Sequence, residues 1–107
     1  MTHLVNYIKG IKSLVAQINF DNQTESLIHF GAVRALADEI FRINDRNTDH
    51  LHHSQITGKL RQAIDHVGSA VLWEEDSRES REKRLEAAGY DIDKVEGFLL
   101  HEPDNND

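Results

Sequence analysis

Residues 25–43, ESLIHFGAVRALADEIFRI, form the most apolar segment of the chain and decide its fold. Eleven of these nineteen residues are apolar, and the polar ones are spread around a helical wheel instead of gathering on one face. A helix with apolar residues on nearly every side has to be covered on several faces. The segment is therefore predicted to be the central helix of a bundle, with other helices packed around it.

Helical periodicity continues on both sides of this segment. Apolar residues recur at spacings of four and three over residues 4–18 and again over residues 56–71, which predicts one long helix before the central one and one after it. The segments 19–24 and 43–49 are rich in Asn and Asp, which favour turns over continued helix. No stretch shows the alternation of apolar and polar residues that a strand requires.

The last third of the chain has a different composition. Residues 74–88, EEDSRESREKRLEAA, place opposite charges four residues apart, which supports an exposed and charged fourth helix. Gly89 is expected to end that helix. A short amphipathic helix should follow, and its single apolar stripe consists of Ile92, Val95, Phe98 and Leu99. The sequence leaves open whether the third helix runs on into the charged one.

These patterns predict an all-α fold, a small bundle of three long helices with a charged fourth helix and a short C-terminal helix. A chain of 107 residues is the size of one domain. Residues 1–100 are assigned to that domain, with an acidic third that begins at residue 74, and residues 101–107 are predicted to be a disordered tail. Because a small domain leaves much apolar surface uncovered, the long seams favour a homodimer.

The charge of the chain is unevenly distributed. Residues 1–73 hold seven acidic and seven basic residues, whereas residues 74–107 hold twelve acidic and five basic ones, so the net charge of −7 belongs to the last third. A neutral first part lacks the basic face that direct binding to nucleic acid requires. An acidic last third favours a basic protein partner, or mimicry of a phosphate backbone.

The composition also bears on the environment of the protein. The chain has no cysteine, so neither a disulfide framework nor a thiolate metal site is possible. No run of residues is long and apolar enough to span a membrane, and the first residues lack the order of a secretion signal. A cytoplasmic protein without a cofactor is the expectation.

Histidines and an aspartate lie near the start of the third helix. Asp49 and His53 share a helical face, as do His50 and His53, so these three residues are candidate ligands of a transition metal. The competing interpretation is that they are polar first-turn residues in contact with water. The absence of a fourth ligand in the sequence favours that second interpretation.

The same region, Arg46-Asn47-Thr48-Asp49-His50-Leu51-His52, resembles the arginine–polar–x4–histidine motif of HEPN-family ribonucleases. The resemblance implies an all-α domain that is active as a dimer and cleaves RNA without a metal. In that case Arg46 would steady the phosphate, His52 would act as acid or base, and Asn47 would be the polar neighbour. A histidine that titrates near neutrality beside a fixed cation suits phosphodiester cleavage.

Two apolar features are candidate contacts for a protein partner. Trp73 stands beside three acids, Glu74, Glu75 and Asp76, and tryptophan is a frequent anchor of interfaces. The stripe of Ile92, Val95, Phe98 and Leu99 suits docking into a groove of another protein. For both features, packing into the core of the chain is the competing interpretation.

The function favoured by the sequence is a small acidic helical interaction module, non-catalytic, that regulates or inhibits a macromolecular partner. The HEPN-like ribonuclease is the first alternative, and a DNA-mimic decoy is the second. If the C-terminal stripe is a docking element, residues 90–107 should be removable without unfolding the bundle.

Overall fold

The computed structural model describes residues 2–46 and 52–101 of the chain. These ranges contain four helices and no strand, which confirms the all-α prediction. The helices are α1 (Thr2–Ala16), α2 (Gln23–Asp45), α3 (His53–Leu72) and α4 (Arg78–His101). No helix in the described ranges combines the length and the apolar character needed to cross a bilayer.

The four helices pack in a ring. Each helix contacts the one that follows it in the chain, and α4 closes the ring by packing against α1, so that α2 and α4 stand at opposite corners. Neighbouring helices are antiparallel because their connections are short. At one end of the α2–α3 pair the side chain of Gln23 donates a hydrogen bond to the carbonyl of Val71 (2.8 Å), and at the other end Asn44 reaches Thr57 (2.9 Å).

The core lies between the four helices and consists of large aliphatic side chains from all of them. Its most deeply buried members are Leu4, Ile8, Ile11, Val33, Ile40, Ile56, Leu60, Ile92, Val95 and Leu99. Those from α1 and α3 lie on the seams that the spacing of four and three predicts. Burial of such side chains contributes about 1.5–3 kcal/mol each.

The prediction that α2 is the central helix of the bundle, with other helices packed around it, is wrong. Val33, Ala37 and Ile40 are fully buried, but Ile28 is 65% exposed, and Ala35 on the outer face is exposed as well. Only α1 and α3 pack extensively against α2, so its outer side faces water. Ala35 allows this because an exposed methyl group costs little, whereas Val33 and Ile40 take inward positions.

The start of α2 follows the sequence closely. Asn22 is the N-cap residue, and its side-chain oxygen accepts a hydrogen bond from the backbone N–H of Glu25 (3.1 Å). Such a cap satisfies one of the N–H groups that have no partner within the helix. Ser26 in the first turn donates to the carbonyl of Asn19 (2.7 Å), which accounts for its burial and fixes the loop between α1 and α2.

One buried polar residue joins α2 to α3. Asn44 is fully buried, and its amide donates to the carbonyl of His53 (3.1 Å) and to the hydroxyl of Thr57 (2.9 Å). Buried amides need such partners to offset the loss of water.

The charged helix and the short C-terminal helix are in fact one continuous helix. The prediction that Gly89 ends a helix is wrong, because α4 passes through Gly89 and Gly97 and reaches His101. A glycine inside a helix costs about 1 kcal/mol relative to alanine. Burial of Ala88, Ile92 and Val95 on one face of α4 outweighs that cost. His101, assigned to the tail from the sequence, therefore belongs to α4, and residues 102–107 lie outside the described part.

Candidate interaction site

The connection between α3 and α4 carries an exposed tryptophan that follows an exposed leucine. The third helix does not run on into the charged one, a point that the sequence leaves open. Helix α3 ends at Leu72, and a turn of residues 73–77 separates it from α4. Leu72 is 53% exposed and Trp73 is 55% exposed, and Glu74 and Glu75 beside them face solvent. These four residues are named the Trp73 surface.

Arg81 fixes the helix end on which this surface stands. Although it is charged, Arg81 is only 7% exposed, and its guanidinium donates to the carbonyl of Ala70 (2.6 Å) and to that of Val71 (3.1 Å). It thereby supplies donors to two carbonyls in the last turn of α3, which have no partner within the helix. The same guanidinium lies over the ring of Phe20, 4.3 Å from its centroid, and contacts Gln23 (3.3 Å).

Arg84, one turn further along α4, holds the tryptophan itself. Its guanidinium lies 4.6 Å from the centroid of the Trp73 ring and forms an ion pair with Asp76. A cation over an aromatic face is favourable, most of all over tryptophan. The exposed indole is therefore positioned by its own chain before any partner arrives.

The start of α4 is fixed by two further contacts. The hydroxyl of Ser77 accepts a hydrogen bond from the backbone N–H of Ser80 (3.1 Å) and so caps the helix. Arg78 forms a double hydrogen bond to Asp21 in the loop before α2, at 2.7 and 3.3 Å. That hydrogen bonding, together with the positive charge of Arg78, lowers the pKa of Asp21 below its usual value of 3.8. The start of α4 is thus tied to the turn of residues 73–77 and to the loop before α2.

A cavity of about 380 Å³ opens next to the Trp73 surface, between α2 and α3. Leu72 and Trp73 line one end of it, and Phe30, Ile64 and Gly68 contribute apolar surface. Arg34 and Asp65 place charges along its sides.

The acidic face of α4 is largely paired with basic side chains. Glu82 pairs with Arg78 (3.2 Å) and Glu79 with Lys83 (3.4 Å), each one helical turn apart. These exposed pairs confirm the predicted spacing but contribute little to stability.

The C-terminal apolar stripe does not form a docking surface. Ile92, Val95 and Leu99 are at most 2% exposed and lie in the core, and Phe98 packs partly buried against that core. Their assignment as partner contacts is therefore corrected. The reason is geometric, because the continuous α4 turns this stripe toward α1 and α3.

Two residues of the ribonuclease-like motif, Arg46 and His52, lie where α2 ends and α3 begins. Arg46 is the exposed C-cap of α2. His52 precedes α3, and its ring packs against that of Phe98 with a centroid distance of 4.9 Å. Asn47 lies outside the described residues, so the structure does not describe the motif as a whole.

The suggested metal ligands are also only partly described. His53 is the first residue of α3 and is half-buried, whereas Asp49 and His50 lie outside the described ranges. Within those ranges, no three histidine, aspartate or glutamate side chains come together as a metal site would require.

Comparison with protein-family models, with curated proteins and with solved structures finds no match to this chain. Its function is therefore inferred from its own residues. Trp73 and its neighbouring acids were found from the sequence, whereas Arg81, Arg84 and Leu72 were not. Arg81 did carry a signal, since it lies in phase with Leu85 and Ala88 on the seam that continues to Leu99.

Proposed function

We propose that this chain is a non-catalytic protein–protein interaction module that regulates or inhibits a macromolecular partner through the Trp73 surface. The observation that carries the proposal is an indole that is 55% exposed and yet held in place by Arg84. Large aromatic side chains at the centre of an interface often supply most of its binding energy. An anchor that is already positioned loses less conformational entropy on binding.

The partner is expected to offer an apolar pocket beside basic residues. Leu72 extends the apolar area next to the indole, and Glu74 and Glu75 place two exposed carboxylates at its edge. Neither carboxylate has an ion-pair partner among the described residues, unlike Asp76, which is bound to Arg84. Charges at the rim of an interface chiefly raise the rate of association and make it sensitive to salt.

The test is the affinity of the partner for Trp73→Ala. The partner is captured by cross-linking to the wild-type chain in extracts of the source cell, purified, and titrated against each variant by calorimetry. Trp73→Ala is expected to weaken binding by about 30-fold or more, as removal of a central anchor typically does. Tyr90→Ala is the matched control, because Tyr90 is an aromatic residue of α4 with 65% exposure, and it should stay within about threefold of wild type.

A second comparison tests the role of the carboxylates. The double variant Glu74→Gln/Glu75→Gln should bind more weakly at low salt and should lose most of the salt dependence of the wild type. A partner that binds Trp73→Ala and the double variant as tightly as wild type would place the interface elsewhere on the chain.

One observation supports the HEPN-like ribonuclease as the second candidate. Arg46 and His52 flank the same connection between α2 and α3, and the contact with Phe98 restricts the ring of His52. An RNA-cleavage assay without metal decides the question. If this candidate is correct, wild type cleaves and both Arg46→Ala and His52→Ala lose activity by at least about 100-fold. Absence of cleavage by the folded wild-type chain eliminates it.

A further inference from the structure

Four charged residues line the outer side of the α2–α3 pair, and none of them is used by the Trp73 surface. The cavity next to Trp73 continues into a second one of about 360 Å³, since both are lined by Arg34, Ile64 and Asp65. The second cavity adds Asp38 and Phe41 from α2, together with Arg61 from α3. Arg34, Asp38, Arg61 and Asp65 are named the charge quartet.

The alignment of α2 and α3 makes positive and negative side chains of the charge quartet alternate. Phe30 of α2 packs against Gly68 of α3, where a Cβ atom would come within 3.0 Å of the ring, and Arg61 lies over the ring of Phe41 (5.3 Å). Between these two levels the antiparallel helices place Arg34 level with Asp65, and Asp38 level with Arg61. Each charge therefore has opposite charges as its neighbours, both along its own helix and across the groove.

All four side chains are exposed, and none forms an ion pair with another described residue. Arg precedes Asp by four residues on both helices, which is the less favourable order for pairing within a helix. The quartet thus presents two positive and two negative groups that have no ionic partner within residues 2–46 and 52–101.

We propose that a second copy of this chain covers the charge quartet, so that the protein is a homodimer with α2 and α3 of each copy at the interface. A two-fold interface brings the same patch of both subunits together, and it has to be self-complementary. An axis along the groove places Arg34 of one copy opposite Asp65 of the other. An axis across the groove places Arg34 opposite Asp38. Either orientation gives every charge of the quartet an opposite partner.

The distribution of charge over the whole chain also favours an interface formed by α2 and α3. The quartet is neutral, and the net charge of −7 belongs to residues 74–107, which include the connection after α3 and α4. Since α2 stands at the corner opposite α4, contact through α2 and α3 keeps the two acidic helices apart. Repulsion between copies is therefore weaker when they meet on the quartet side than when they meet through α4.

The size and composition of the face also fit a dimer. The molecule measures 45 by 19 Å along its two longest axes, which leaves room for the roughly 800 Å² per subunit that a stable interface buries. Phe30, Phe41 and Ile64 are partly exposed along the groove and provide apolar area between the charges. The inference does not rest on the proposed function, because the quartet shares no residue with the Trp73 surface.

The experiment uses two double variants with like charges in the quartet. Arg34→Glu/Arg61→Glu makes the quartet wholly acidic, and Asp38→Lys/Asp65→Lys makes it wholly basic. Sedimentation equilibrium of the wild-type chain should give twice the monomer mass of 12.2 kDa. Each variant alone should weaken the dimer by at least about 100-fold, because four unlike contacts become four like ones. An equimolar mixture of the two variants should form a heterodimer.

Two controls keep the test independent of folding. Lys9→Glu/Lys94→Glu makes the same change of charge at exposed positions away from the groove, and it should remain as dimeric as wild type. Circular dichroism checks that each variant is helical. The neutral variant Arg34→Gln/Arg61→Gln serves if the acidic one does not fold, and it should weaken the dimer at least tenfold. A monomeric wild-type chain, or variants that keep the dimer mass, would overturn the inference.

Discussion

Deletion of residues 90–107 is expected to abolish the cooperative fold. The deletion removes Ile92, Val95 and Leu99 from the core, and with them the partly buried Phe98. At about 1.5–3 kcal/mol for each of the three fully buried side chains, the loss is of order 5–9 kcal/mol even without Phe98, which is comparable to the whole stability of a small domain. The deletion also removes Glu96 and Asp93, which hold the amine of Lys12 on α1 (3.0 and 3.1 Å).

The measurement is thermal and urea unfolding followed by circular dichroism. The truncated chain should show little helix and no unfolding transition. A pair of adjacent point variants provides the control, since Val95 is fully buried whereas Lys94 is exposed. Val95→Asp should unfold the chain, and Lys94→Asp should stay within about 0.5 kcal/mol of wild type, as surface substitutions usually do. A truncated chain that melts like the wild type would show that the second half of α4 is dispensable for the core.

Replacement of Arg81 by methionine is expected to lower the free energy of unfolding by about 2–4 kcal/mol, the range of a lost buried hydrogen-bond network. Methionine keeps most of the apolar stem but removes the donors to the carbonyls of Ala70 and Val71. Gln23 still donates to Val71, so the carbonyl of Ala70 is left without the donor that Arg81 provides. The contact with the Phe20 ring is lost as well.

Urea denaturation at neutral pH measures this difference. Arg42→Met is the matched control, because Arg42 is an exposed arginine on α2 whose one ion-pair partner in the described part of the chain is Glu39, one turn away. It should change the free energy of unfolding by no more than about 0.5 kcal/mol. Equal effects of the two substitutions would mean that the buried guanidinium contributes nothing beyond an ordinary surface arginine.

The spacing of apolar residues is enough to predict the helices, but it says less about the residues at which they end. The seam of α4 stays in phase through Leu85, Ala88 and Ile92, and this continuity outweighs the helix-ending tendency of Gly89. The same phase places Arg81 toward the interior. A residue that reads as one more surface charge in EEDSRESREKRLEAA is therefore a structural contact.

The candidate interaction site, too, can be predicted from sequence only in part. Trp73 and its acidic neighbours are adjacent in the chain, so their grouping can be predicted from sequence. The contact between Arg84 and Trp73 depends on a turn whose path no periodicity encodes. The charge quartet cannot be predicted from sequence for a different reason. Each Arg–x3–Asp pair is visible in its own helix, but their alternation depends on how far α2 slides along α3, which neither helix specifies alone.

The buried amide of Asn44 limits how α2 can be aligned along α3. Its hydrogen bonds to His53 and Thr57 are satisfied at only one alignment of α2 and α3. A shift of one helical turn in one direction would bring Arg34 level with Arg61, and like charges would then face each other across the groove. The neutral side chain of Asn44, at the far end of the helix pair, thus fixes the alignment of α2 and α3. That alignment in turn sets the alternation of positive and negative side chains on the outer surface.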